Sequence, residues 1–178
     1  MFEDLLAGLA RELDAAGVPY MVIGGQAVLL HGEPRLTRDV DVTLGVAPDQ
    51  LADVLSVAQR LGLTPLVDAS FVANTLVLPC ESATDGRRVD FVFSFAGYER
   101  KAIARATEAE IGGKSVRFAS VEDLVVMKVV AGRPRDIEDV RGVLSRHPGI
   151  DAAYVRHWLR QFDAALGTET IRLFGSLL

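Results

Sequence analysis

The chain has a single cysteine, Cys80, in 178 residues, so an internal disulfide is excluded. One unpaired thiol fits a reducing compartment, and the expected location is the cytoplasm. No apolar run approaches the ~20 residues needed to cross a bilayer, and no membrane association is expected. The first residues, Met1-Phe2-Glu3-Asp4, are acidic rather than basic and do not read as a signal peptide. There is no internal repeat, low-complexity tract or flexible linker. An excess of positive charge is also missing. The net charge is −5, against a surface that grips nucleic acid throughout. From Lys128 onward, however, eight Lys/Arg face six Asp/Glu (+2), and the preceding part carries 11 against 18 (−7). Those C-terminal charges read either as a local basic surface or as the solvated faces of helices.

What is present is an ordinary globular balance, 49% hydrophobic and 24% charged. Residues 2–16 carry Phe2, Leu5, Leu6, Leu9 and Leu13 at helical spacing, with Gly17 as a stop. Tyr20–Ile23 reads as a buried strand that ends at Gly24-Gly25, and Gln26–Leu30 as a short helix. Val40, Val42 and Leu44 alternate with Asp39, Asp41 and Thr43, the period of a strand. A helix is expected from Pro48. A hairpin follows, with arms Thr75–Leu78 and Arg88–Phe95 about the turn Ala83-Thr84-Asp85-Gly86. Tyr98–Ala106 reads as a helix and Glu110–Phe118 as a second hairpin about Gly112-Gly113. Helices are predicted at 121–131, 134–146 and 151–165, the first capped by Ser120. Mixed elements followed by helices imply an α+β fold: a mixed sheet with flanking helices over residues 1–119, and a C-terminal helical part, 120–178, packed on it.

On a strand, Asp39 and Asp41 project from the same face. Two adjacent carboxylates repel, and a divalent cation relieves the repulsion; Mg²⁺ suits oxygen ligands and keeps room for phosphate oxygens. Asp90 lies in the apolar pattern Arg88-Val89-Asp90-Phe91-Val92-Phe93. A carboxylate there needs a partner, either a shared metal, an arginine or solvent at a sheet edge. Gly24-Gly25, between a strand and a helix, read either as a tight turn or as a place where backbone comes close to a phosphate, with amide donors from the helix N-terminus.

Together these residues resemble the signature of the DNA polymerase β-like nucleotidyltransferases. The matching stretch runs from Val22-Ile23-Gly24-Gly25-Gln26-Ala27-Val28 to Arg35-x-Thr37-Arg38-Asp39-Val40-Asp41-Val42. A second block, Met127 to Asp136 and on to Asp139, resembles the short bacterial branch related to AbiEii-type toxins. The resemblance implies transfer of a nucleoside monophosphate from an NTP to an acceptor hydroxyl, with Mg²⁺ as cofactor and Mn²⁺ able to substitute. It makes Asp39, Asp41 and Asp90 the metal-binding and catalytic carboxylates. Gly24, Gly25, Gln26, Arg38 and Lys128 would bind nucleotide. Gln26 departs from the serine common at that position in the superfamily. Lys128 reads either as a triphosphate contact or as a lysine extending from a partly buried helix into water. Asp136 and Asp139, three apart, either anchor arginines and orient Lys128 or favour their own helix dipole. The acceptor is open among RNA, protein and a small molecule such as an antibiotic, and the toxin-related branch adds an antitoxin partner. The alternative is a non-catalytic nucleotide-binding or partner-binding module. His31, His147 and His157 have no metal-ligand spacing, and Trp158 with Phe162 reads as core.

Overall fold

The computed structural model describes residues 2–94 and 96–178; Met1, and Phe95 at the expected end of the second hairpin arm, lie outside the described residues. The described residues form nine α-helices and one mixed seven-stranded sheet. The chain divides into two compact units. One comprises the chain up to Gln26 and Thr37–Phe118, and the other comprises Ala27–Leu36 and Ala119–Leu178. Residues 27–36, expected in the N-terminal core, thus group with the C-terminal helices.

The first unit begins with α1 (Phe2–Ala15), whose Leu5, Leu6, Leu9 and Leu13 are buried as their spacing requires. Strand β1 (Tyr20–Ile23) leads directly into α2 (Gly24–His31). Next come β2 (Asp39–Leu44), a 3₁₀ turn at Pro48–Gln50, α3 (Leu51–Arg60) and β3 (Leu63–Pro65). The unit continues with α4 (Ala69–Thr75), β4 (Val77–Ser82), β5 (Arg88–Phe93), α5 (Gly97–Ala104), β6 (Thr107–Ile111) and β7 (Lys114–Phe118). The strand order is β3-β4-β5-β2-β1-β7-β6. Strands β2 and β5 are parallel, and β1 is antiparallel to β2. Helix α1 packs on β6, β7 and α3. Val89, Phe91 and Phe93 are buried while Asp90 and Val92 are partly exposed, so β5 has one core face and one open face.

Thr75, expected in the first hairpin arm, instead ends α4. Asp68 caps that helix by accepting the Phe71 N–H at 2.9 Å. Leu76 closes it in the left-handed region, φ +60°, with its N–H on Val72 O, so the strand starts at Val77.

The second unit carries α6 (Val121–Ala131), α7 (Pro134–Arg146), α8 (Ala152–Leu166) and α9 (Thr170–Gly175). Ser120 caps α6 by accepting the Asp123 N–H at 3.1 Å. Helix α6 packs against α7, α8 and α9. Its central residues Leu124, Val125, Val126 and Val129 are buried around the helix, which is why its sequence shows little amphipathic contrast. Trp158 is buried, in line with a core role.

Candidate active site

Parallel pairing of β2 with β5 sets Asp41 directly beside Asp90 and Asp39 beside Arg88. Side chains at paired positions share a sheet face, and so do positions two apart. The three carboxylates therefore stand on one face, with Asp39 exposed and Asp41 and Asp90 partly buried. Asp90 Oδ1 is buried and has no hydrogen-bond partner. Burial pushes the Asp90 carboxyl above the usual aspartate range; Arg88 opposes this and the Asp39 charge adds to it.

Ile23, the last residue of β1, pairs with Asp41. The chain then turns at Gly24, whose φ is +61°. A Cβ at that position would lie 1.9 Å from Asp41 Oδ2. Both the left-handed backbone and the contact with the carboxylate therefore require glycine. Gly24 and Gly25 open α2, and Gln26 follows with its side-chain Nε2 buried and unpartnered. Arg38 is exposed immediately before β2.

The donor set fits a hard divalent cation in its chemistry: oxygen ligands on one face, one of them buried with an unsatisfied oxygen. Among the described residues, no group of three or more His, Cys, Asp or Glu side chains stands close enough together to hold a metal as it is. The fit therefore rests on the shared face and the unpaired oxygen, not on a finished coordination sphere.

The other expected group of charges is closed on itself. Lys128 is buried, and its Nζ lies 2.8 Å from Asp136 Oδ1 and 2.8 Å from Asp139 Oδ2. Arg35 grips Asp139 through two bonds, Nε to Oδ1 at 2.7 Å and Nη2 to Oδ2 at 3.0 Å. Arg133 Nε donates to Asp136 Oδ2 at 2.6 Å. Burial alone would raise both carboxyls, but these bonds outweigh it. Arg133 and Lys128 hold Asp136 below the usual range, and Arg35 and Lys128 do the same for Asp139. The sequence singled out these residues, but it did not show that Arg35, about a hundred positions away, completes the network.

The remaining candidates have structural partners. His31 Nε2 lies 2.8 Å from the Ala119 carbonyl, and His147 Nε2 lies 2.9 Å from the His31 carbonyl. Burial lowers the His31 pKa, consistent with a neutral ring donating to that carbonyl. Cys80 is buried, and burial together with the nearby Asp90 charge pushes its thiol up to about 12, which leaves no thiolate for catalysis.

No curated protein sequence matches this one. Several solved structures share its fold. A solution structure of the antibiotic-resistance factor ANT(2'')-Ia is 19% identical, with a TM-score of 0.62, covering 93% of this chain and 94% of that one. An antigenic nucleotidyltransferase-like protein from Paracoccidioides brasiliensis is 18% identical, with a TM-score of 0.59 over 98% of this chain and 91% of its own. The lincosamide antibiotic adenylyltransferase LnuA, bound to lincomycin, is 15% identical, with a TM-score of 0.53 over 75% and 90%. At these identities the likeness establishes the fold. A family model matches residues 2–159, spanning both carboxylate strands, the glycine turn and the Lys128 network. The chain belongs to the family described as nucleotidyltransferase of unknown function, DUF6036.

Proposed function

We propose that the chain is an Mg²⁺-dependent nucleotidyltransferase that moves a nucleoside monophosphate from an NTP to an acceptor hydroxyl. The observation that carries this reading is the register of β2 and β5. It lines up Asp39, Asp41 and Asp90 on one face, with the Asp90 Oδ1 unpartnered and Gly24 lodged against Asp41. Asp39 and Asp41 would hold metal together with the triphosphate, and Asp90 would complete the site on the acceptor side. Mg²⁺ bound there would neutralise phosphate charge and make the acceptor hydroxyl easier to deprotonate. Gly24, Gly25 and Gln26 would receive phosphate oxygens at the start of α2, with Arg38 as a further cationic contact. The resemblance also assigns Lys128 to nucleotide; within its own unit, Asp136 and Asp139 fix its position.

In the step itself, the acceptor oxygen forms a bond to the α-phosphorus and the bond to the bridging oxygen of the β-phosphate breaks. Pyrophosphate leaves, and the hydroxyl proton passes to Asp90.

The fold neighbours favour a small-molecule acceptor. Among them, ANT(2'')-Ia was captured with adenylyl-2''-tobramycin and LnuA with lincomycin. The toxin-like version, with a tRNA or protein acceptor and an antitoxin partner, rests on the second sequence block. The test is incubation with labelled NTPs, Mg²⁺ and separated RNA, protein and metabolite fractions. Label transferred to one fraction, with pyrophosphate released, is expected. NTP binding without transfer to any fraction would instead support a non-catalytic nucleotide-binding module.

A further inference from the structure

The open face around Asp90 is built in three rows. The first, Glu81, Arg88 and Asp39, is charged. The second runs Pro79, Asp90, Asp41 and Ile23. The third runs Val77, Val92, Thr43 and Met21. Thr43 and Met21 are buried, whereas Val77, Pro79 and Val92 are partly exposed. Asp90 therefore has charge on one side along its strand and an accessible apolar step on the other. Leu66 extends that step: its N–H donates to Pro79 O at 2.9 Å, and it is 43% exposed. Strand positions facing water usually carry polar side chains, so a contiguous apolar group beside an unsatisfied carboxylate invites a ligand.

We propose that Val77, Pro79, Val92 and Leu66 form the acceptor-specificity surface, and that they select an acceptor whose reacting hydroxyl is carried on an apolar or aromatic body. This rests on the nucleotidyl-transfer reading for the role of the hydroxyl. Arg88 and the glycine turn suit the polyphosphate, and Asp39 would meet it through a bound cation. The apolar step offers it nothing and would instead cover a hydrocarbon face of the acceptor. A polycation or a bare sugar would gain little from these side chains.

The test uses the full chain, first without nucleotide or metal. Phenyl β-D-glucoside and methyl β-D-glucoside present the same hydroxyls with and without an aromatic body. Methyl-resolved NMR follows Val77 and Val92 during titration with each. The phenyl compound is expected to shift both valines saturably, with an affinity about tenfold or more above the methyl compound. Leu66→Ser and Val77→Ser are each expected to weaken phenyl-glucoside binding several-fold at unchanged melting temperature. Leu66 is exposed enough for its variant to fold even if the Val77 variant does not. Equal binding of the two glucosides, no shift at either valine, or wild-type affinity in Leu66→Ser overturns the proposal. In the labelled-fraction assay, phenyl glucoside should compete with labelling of the acceptor and methyl glucoside should not; equal competition by both also overturns it. Absence of any labelling would refute the transfer reading, while the binding titration would still decide the surface.

Discussion

Asp90 and the pair Asp136 and Asp139 sit in opposite electrostatic environments. On the sheet face, Asp90 has a buried oxygen with no partner and a raised pKa. Among the C-terminal helices, Asp136 and Asp139 are just as acidic by residue type. Yet Lys128, Arg35 and Arg133 engage their oxygens, and their pKa values are lowered. Asp90 leaves one buried oxygen unfilled, whereas the second group brings its cations with it. A buried carboxylate is thus a sign of chemistry when its hydrogen-bonding capacity is left open, and of architecture when it is filled.

Removing one member of each set should break the comparison most sharply. Asp41→Asn is expected to reduce nucleotidyl transfer by about 10³-fold while leaving the melting temperature near wild type. Calorimetric titration with Mn²⁺ should show the lost metal affinity, and wild-type affinity would remove Asp41 from the site. Lys128→Ala should act the other way round, primarily on the fold. It strands two buried carboxylates, and breaking a buried pair typically costs about 3–5 kcal/mol. Urea denaturation would measure this, and a loss below ~1 kcal/mol would mean that the network contributes little to the second unit.

A smaller effect separates Asp90 from its neighbours. Asp90→Asn should retain appreciable Mg²⁺–NTP binding yet lose transfer by about 10²-fold, because the proposed mechanism assigns it to the acceptor side. Calorimetry and labelled-product formation in one preparation would check both. Near-normal turnover would place the third carboxylate elsewhere.

The smallest effect is in the pH dependence of stability. The raised pKa of Asp90 means that the folded protein binds this proton more tightly than the unfolded chain. Stability from Asp90 should therefore increase as pH falls from neutrality toward the ordinary aspartate value of ~3.9. Asp136 and Asp139 are depressed, so their contribution is full above that ordinary value and is lost as pH falls through their folded values. Urea midpoints across this range should show a shallow gain followed by a loss. Asp90→Asn should erase the gain, and Asp136→Asn should reduce the loss.

Much of this was legible in the sequence, for identifiable reasons. Strand alternation in Val40–Leu44 and Val89–Phe93 exposed the carboxylates as exceptions to an apolar pattern. Ser120 marked the start of α6, because a cap acts locally. The three-residue strand β3 was missed, being too short to show a period. Helix α4 was missed because Ala69–Thr75 has a single buried residue, Val72, and depends on its Asp68 cap and the left-handed Leu76. Helix α9 is held through Asp163, whose Oδ1 accepts the Thr170 N–H at 2.7 Å and whose Oδ2 accepts that of Ile171 at 3.1 Å, a link made across a turn. The pairing of Arg35 with Asp139 and of Asp41 with Asp90 is tertiary, and residue spacing alone does not determine it.

The parallel pairing of β2 and β5 also has a consequence for how the protein comes into being. Asp41 and Asp90 are separated by 49 positions (90 − 41) yet stand side by side. Parallel neighbours cannot be joined by a tight turn, and here the intervening chain supplies α3, β3, α4 and β4. Such contacts are slow to form, because the loop entropy must be met before they are made. A chain still emerging from the ribosome would carry Asp39 and Asp41 well before β5 could dock beside them. The three-carboxylate face exists only once β5 has docked beside β2, and the proposed activity would be withheld until the centre of the sheet is assembled.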